Sequence, residues 1–298
     1  GERIILMFIV TVNSFDELKS LEQAQADGII LPVPHFSIRQ NAFLDLDSLK
    51  EVTLRLKNQN IKVYFNLLKM LTQSDLEQAE KLLIMAKELD VDGLYIADEG
   101  WLEMAGQLNL IDRLIYQPET LIVNGMDADF YADLGLQAVS LAHELSIDEI
   151  EAIAADSHAS LEVLIQGRYS WMYSRRKLIT NYFDAIDLQE PVIDNKAYDL
   201  QEATREGVMK IVENEAGTHV FADEPIASFS VMERLKKAGI QRFRIDTMFE
   251  DAAKGAACLH LYRQALNGRL PEDTEQYGSD ALYFSQTIKK KEKTNGQN

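Results

Sequence analysis

The chain has 298 residues, 46% hydrophobic and 26% charged, a globular mix whose core is large enough to need no disulfide or metal staple. Its net charge of −18 repels nucleic acid and anionic membrane as a whole, so contact with either requires a local basic patch, such as Arg175-Arg176-Lys177 or the tail Lys289-Lys290-Lys291-Glu292-Lys293. One cysteine, Cys258, excludes an intramolecular disulfide and suits a reducing, cytoplasmic compartment. Taken in order, the expected strands are Ile4–Val10, Gly28–Pro32, Lys62–Leu67, Gly93–Ala97, Thr120–Asn124, Ala138–Leu141, Leu161–Ile165 and Arg242–Ile245. Each is nearly continuous in apolar residues, as strands covered on both faces are. The first is too short to span a membrane and lacks the flanks of a signal peptide, so no membrane association is expected.

Amphipathic helices separate these strands. Leu76, Ala79, Leu82, Leu83, Ala86 and Leu89 share one helical stripe. Ser14 with Glu17, Ser74 with Glu77, and Ser146 with Glu149 each match a capping box, in which serine and glutamate satisfy orphan backbone amides. The helix-to-strand joints repeat: Ala26-Asp27-Gly28 parallels Val91-Asp92-Gly93, and Leu136-Gln137-Ala138 parallels Ile240-Gln241-Arg242. Eight such units predict a (β/α)8 barrel of the TIM type. An open doubly wound sheet is less favoured, because Thr11-Val12-Asn13-Ser14 stands where a glycine-rich dinucleotide loop would follow the first strand. The expected organisation is a single barrel domain over 1–270 and a C-terminal extension with its basic, solubilising tail over 271–298. Residues 167–218, too long for an ordinary βα loop and rich in aromatic and basic residues, read as an insertion over the barrel mouth.

Residues just past each strand converge at such a mouth. They are Thr11 and Asn13, His35, Asn66 and Lys69, Asp98 and Glu99, Asn124, His143 and Glu144, Gln166 with Arg168 and Tyr169, and Asp246. Together they can orient a small polar ligand, although each can equally cap a helix or bind water. His158 and His219 sit among polar residues and are expected in solvent. Cys258, flanked by alanines in a helical stretch, reads as a small buried hydrophobe. Metalloprotease, nucleophile-elbow, phosphate-loop and paired-cysteine signatures are absent from the sequence.

The segment Leu161 to Phe183 resembles the signature of peptidase family U32, the collagenase-like proteases. Glu162, Gly167, Tyr173, Ser174, Arg176, Asn181, Tyr182 and Phe183 stand where that family has them. Ala97-Asp98-Glu99-Gly100, Leu141 to Ile150, Phe36-Ser37-Ile38-Arg39, Arg205-Glu206-Gly207 and Glu215-Ala216-Gly217-Thr218 are similar to further family segments, so the resemblance covers most of residues 4–265. The departures concern ligands. Ser170 and Lys177 replace the first two family cysteines, no cysteine lies between Phe183 and Tyr198, Gln166 replaces a histidine, and His143 replaces an arginine. Thiolates hold iron–sulfur clusters, so the resemblance implies a chain without a cluster or other cofactor.

The resemblance further implies a bacterial, cytoplasmic accessory subunit, partner to a longer cysteine-bearing U32 paralogue in prephenate-dependent hydroxylation of tRNA wobble uridine. In that role Arg168 and Arg176 can pair with carboxylate or phosphate, and Tyr173 and Trp171 can stack on a ring. The residues expected to bind ligand are Asn66, Asp98, Asn124, His143, Glu144, Glu162, Gln166, Arg168, Tyr173 and Arg176. Two alternatives stand beside it. One is a collagenase-like peptidase, with a pair such as Glu144 and Glu162 activating water. The other is a free-standing barrel that binds a small anionic metabolite through Asn66, Asn124, Gln166 and Arg168.

Overall fold

The structure is a computed structural model that describes residues 6–203 and 207–285. Residues 4 and 5 of the first expected strand, Arg205 and Glu206 of the family match, and the basic tail at 289–293 lie outside the described residues.

The barrel strands are β1 (Met7–Thr11), β2 (Gly28–Pro32), β3 (Lys62–Leu67), β4 (Gly93–Ile96), β5 (Leu114–Tyr116), β6 (Ala138–Ser140), β7 (Leu161–Gly167) and, after an insertion, β13 (Arg242–Asp246). All eight pair in parallel in the order β7-β13-β1-β2-β3-β4-β5-β6, and the β6–β7 pairing closes the ring. The helices α1 (Phe15–Gln23), α2 (Leu46–Asn58), α3 (Leu76–Glu88), α4 (Gly100–Gln107), α5 (Gly125–Asp133) and α6 (Ile147–Asp156) follow β1 to β6 in turn. The main apolar core lies between strands and helices, where Val10, Leu31, Val63, Leu94 and Phe243 meet Leu18, Leu49, Leu83 and Leu259. No helix among the described residues is long and apolar enough to cross a membrane.

One expected strand is displaced. Thr120 to Asn124 is coil, and the fifth strand is the shorter Leu114–Tyr116. Ile122 is buried, but Leu121 and Val123 are 61% and 50% exposed, so the apolar run lies along the rim instead of within the wall. Of the expected caps, Ser146 and Glu149 form the full reciprocal box. Ser14 caps α1, while Glu17 accepts instead from the Asn13 amide at 2.7 Å. Ahead of α3 the box is Thr72 with Asp75, not Ser74 with Glu77, because a 3-10 turn at Gln73–Asp75 precedes the helix.

The repeated Asp-Gly joints have a common cause. Asp27 accepts from the Phe8 amide and Asp92 from the Val63 amide, each at 2.9 Å, so each carboxylate pins the preceding strand. Gly28 and Gly93 both face Tyr64, which fills the barrel floor. A Cβ on either would come within 2.7 or 2.8 Å of the Tyr64 ring.

Between β7 and β13, the strands β8 (Ser170–Ser174), β9 (Ala197–Gln201), β10 (Val208–Asn214) and β11 (Gly217–Phe221) form an antiparallel sheet in the order β8-β11-β10-β9. Helix α7 (Leu178–Ala185) connects β8 to β9. This sheet continues to Phe221, three residues beyond the expected limit, because β11 completes the hairpin with β10. The chain rejoins the barrel through β12 (Ile226–Ala227), antiparallel to β7, and α8 (Met232–Lys237), and α9 (Lys254–Ala265) follows β13. Glu215, in the β10–β11 turn, accepts from His35 Nδ1 at 2.9 Å, while His35 Nε2 lies 2.6 Å from Asp75. His35, Glu215 and Asp75 thereby tie the inserted sheet to the loops after β2 and β3.

Candidate functional site at the barrel mouth

Strand β13 reads Arg242-Phe243-Arg244-Ile245-Asp246. Side chains alternate along a strand, so Phe243 and Ile245 join the outer core while Arg242, Arg244 and Asp246 turn inward. On neighbouring β7, Glu162 is fully buried, with its oxygens 3.5 Å from Arg242 Nε and 3.4 Å from Arg244 Nε. Tyr95 donates to it at 2.6 Å. The Arg242 guanidinium lies 5.3 Å above the Tyr64 ring. The barrel interior is therefore a charged column above an aromatic floor, and each buried charge has a counter-charge nearby.

Above this floor, Thr11, Asn66, Gln117, Arg39, Glu119, Arg244 and Asp246 surround a small cavity. Arg39 Nε lies 3.0 Å from Glu119 Oε1, and the other Glu119 oxygen meets His143 Nε2. Burial opposes charge on Glu119, but Arg39 and His143 outweigh it and hold the carboxyl well below its ordinary value. Asp246 behaves oppositely. Burial pushes it up to about 6 despite the pull of Arg244. The cavity has spare donors, since Nη2 of Arg39 and of Arg244 have no hydrogen-bond partner. It shares Arg39, Leu68, Glu119 and Ser170 with an outer pocket of about 150 Å³, whose other walls include Ile38, Met70, Leu121, Trp171 and Tyr173.

The residues expected to bind ligand divide into two groups. Asn66 and Arg168 line the cavity, Glu162 lies under it, His143 backs Glu119, and Tyr173 lines the outer pocket. Several of these are already engaged. The Asn66 amide donates to Ile38 O and Gln40, Arg168 donates to the carbonyls of Ala222 and Asp223, and Tyr173 donates to Ala216 O. The remaining five lie elsewhere. Asn124 is exposed and caps α5, a consequence of the displaced fifth strand. Gln166 turns outward to Tyr262 and Tyr277. Asp98 accepts from the Leu71 and Gly100 amides. Glu144 and Arg176 line neither cavity nor pocket. His219, expected in solvent, is 1% exposed and stacks on Tyr173 at 4.7 Å, and burial pushes it down to about 3.

Arg39, Gln117, Glu119 and Arg244 line the site but are not among the residues the sequence points to there. The alternation of charged with apolar residues in β13 was the available signal for Arg244. Glu119 carries none, because it falls just before the expected strand Thr120–Asn124, at the end of the barrel away from the mouth.

The residues present do not fit an iron–sulfur cluster. Ser170 lines the cavity where the family resemblance puts a cysteine, and Lys177 is exposed at the start of α7. The sole thiol, Cys258, is buried in α9 and pushed up to about 12. Among the described residues, no three His, Cys, Asp or Glu side chains gather closely enough to hold a metal ion.

The family model for peptidase family U32 matches residues 13–296. The chain belongs to this family. It is 24% identical over 264 residues to the tRNA hydroxylation protein P2 of Bacillus subtilis (strain 168), covering 87% of this U32 chain and 85% of that one. It is 26% identical to the tRNA hydroxylation protein P of Helicobacter pylori (strain J99), with 86% and 63% covered. To the 23S rRNA 5-hydroxycytidine C2501 synthase of Escherichia coli (strain K12) it is 24% identical, with 83% and 37% covered. The chain thus spans less than two thirds of the last two relatives. A solved U32 peptidase shares the fold, with a TM-score of 0.53, 14% identity, and coverage of 84% of this chain and 96% of that one.

Proposed function

We propose that this U32 chain serves RNA hydroxylation as the partner of a longer, cysteine-bearing relative, in prephenate-dependent hydroxylation of a tRNA wobble uridine in the bacterial cytoplasm. The observation that carries the reading is similarity along nearly the whole of both chains to a tRNA hydroxylation protein P2. A tRNA hydroxylation protein P1 from the same Bacillus strain is also similar, at 19% identity over 90% of this chain and 65% of that one. Two relatives named as a numbered pair in one organism suit a division of labour. A chain with one buried cysteine would leave cluster chemistry to its partner.

The surface supports the same reading. Arg175, Arg176 and Lys177 are exposed in sequence with the partly exposed Trp171 and Met172 of β8, beside the outer pocket. Cations that follow a phosphate backbone beside an aromatic wall for an unstacked base are how single strands are held on an otherwise acidic protein. Arg175→Glu with Lys177→Glu should abolish tRNA retention by the reconstituted pair while leaving the pair assembled. Retention at the wild-type level would remove this surface from the account.

A further inference from the structure

Helix α5 reverses the usual arrangement of a surface helix. Such a helix turns its apolar side chains to the core and its polar ones to water. In α5 the buried residues are the small Gly125 and Ala128, while Met126 and Phe130 are 81% and 58% exposed, and Leu134 at the C-cap is exposed as well. These three recur at intervals of four, so they share one face. The loop that leads into the helix adds the exposed Leu121 and Val123, and Leu121 also lines the outer pocket. Five large apolar side chains on one short stretch differ from the singly scattered hydrophobes of an ordinary surface. Phe130 is held edge-on to Tyr131 at 5.2 Å, and Tyr131 stacks on Tyr116 at 3.9 Å. A positioned aromatic of this kind is what anchors a protein interface.

The charge around this face decides its partner. From Leu114 to Gly167 the sequence holds ten acidic residues and no lysine or arginine. Glu119 and Glu162 serve the barrel interior. Asp127, Asp129 and Asp133 lie on α5, and Asp148, Glu149, Glu151 and Asp156 lie on α6, which packs beside it. The basic groups that reach these acids each meet two of them: His158 lies between Asp129 and Asp133, and Arg234 of α8 between Asp148 and Glu151. The rim is therefore negative. A second copy meeting the same face across a two-fold axis would set acid against acid. RNA and anionic lipid are repelled by the same charge. A protein surface with lysine and arginine around an apolar centre is complementary on both counts.

We infer that the exposed face of α5, with Leu121 and Val123, is the docking surface for the longer cysteine-bearing relative, which meets it with an apolar centre rimmed by lysine and arginine. The inference rests on the pairing proposed above and gives that pairing a surface. Because Leu121 belongs to the outer pocket too, a partner seated on α5 reaches the edge of the barrel mouth.

The test is sedimentation and interferometry of the full chain with the longer paralogue from the same host. The wild-type pair should form, and its Kd should rise as salt screens the opposed charges. Met126→Glu with Phe130→Glu should weaken the complex about 100-fold, chiefly through faster dissociation. Asp127→Lys with Asp133→Lys should slow association about tenfold at low salt. All four side chains are exposed, so both variants should fold, which circular dichroism melts verify. Wild-type affinity in the Met126 and Phe130 variant would overturn the surface and leave the pairing standing. Unchanged association in the aspartate variant would overturn the cationic rim. Failure of the wild-type chains to associate would overturn surface and pairing together. Self-association of the chain alone, lost in Met126→Glu with Phe130→Glu, would assign the face to a second copy and so overturn the inference.

Discussion

Arg39 and Glu119 meet across the mouth at 3.0 Å, and both hold left-handed backbone, with φ of 55° and 68°. Such a conformation costs about 1–2 kcal/mol for a residue with a side chain, and it persists where the surroundings over-determine it. Two loops, after β2 and after β5, therefore bend unfavourably to bring one ion pair to the boundary between cavity and outer pocket.

That pair is largely buried, so removing one partner strands the other. Glu119→Gln should lower stability by about 3–5 kcal/mol, and Arg39→Gln by a similar amount. Together they should cost less than the sum, because the second change removes a charge that the first left unpaired. Urea unfolding of the two single variants and the double variant measures the coupling, and strict additivity would show that the pair contributes no net interaction.

The floor of the column makes a second prediction. Tyr95 donates to Glu162 at 2.6 Å in a fully buried setting. Tyr95→Phe removes one charge-assisted hydrogen bond and should cost about 1.5–3 kcal/mol. Glu162→Gln should cost more, because Arg242 and Arg244 then share no anion on the floor. Thermal melts that rank Tyr95→Phe as the more damaging change would contradict this arrangement.

Gly93 lies against Tyr64, with space for no Cβ. Gly93→Ala should therefore destabilise by about 1–3 kcal/mol. The cost should shrink when Tyr64 is Leu, since its ring makes two of the three close contacts, the third being Gln137 Oε1 at 2.9 Å. An equal cost in both backgrounds would assign the clash to Gln137 instead.

Burial pushes Glu17 up to about 7 against the hydrogen bond from Thr247 at 2.5 Å. A carboxyl raised on folding stabilises the fold fully at acid pH, and that stability is lost as pH rises through the folded value. Denaturant midpoints should thus fall between pH 5 and pH 8. In Glu17→Gln the slope near pH 6–7 should flatten by about 1 kcal/mol per pH unit. An unchanged slope would mean that Glu17 is ionised throughout.

The barrel is legible because most of its strands are nearly continuous in apolar residues, β13 with its inward charges excepted, and because its joints repeat. Gly28–Pro32 and Lys62–Leu67 fall where the sequence pattern sets them. The fifth strand was not legible. Leu114–Tyr116 is only three residues, and the equally long apolar run at Leu121–Val123 offers the same local signal. That displacement also hides Glu119, which falls just before the expected Thr120–Asn124, and it sets Asn124 at the mouth instead of at the α5 cap. Arg168 and Gln166 were placed at the correct strand end. Which way each side chain turns depends on Ala222, Asp223, Tyr262 and Tyr277, partners 54 to 111 residues away that no local pattern reveals.

The most direct test of the proposed role is to delete the gene in its native host and quantify hydroxylated wobble uridine in total tRNA by mass spectrometry, with the gene restored in trans as control. The account predicts loss of the modification in the deletion strain and its return on complementation. Hydroxylation at the wild-type level in the deletion strain would contradict it.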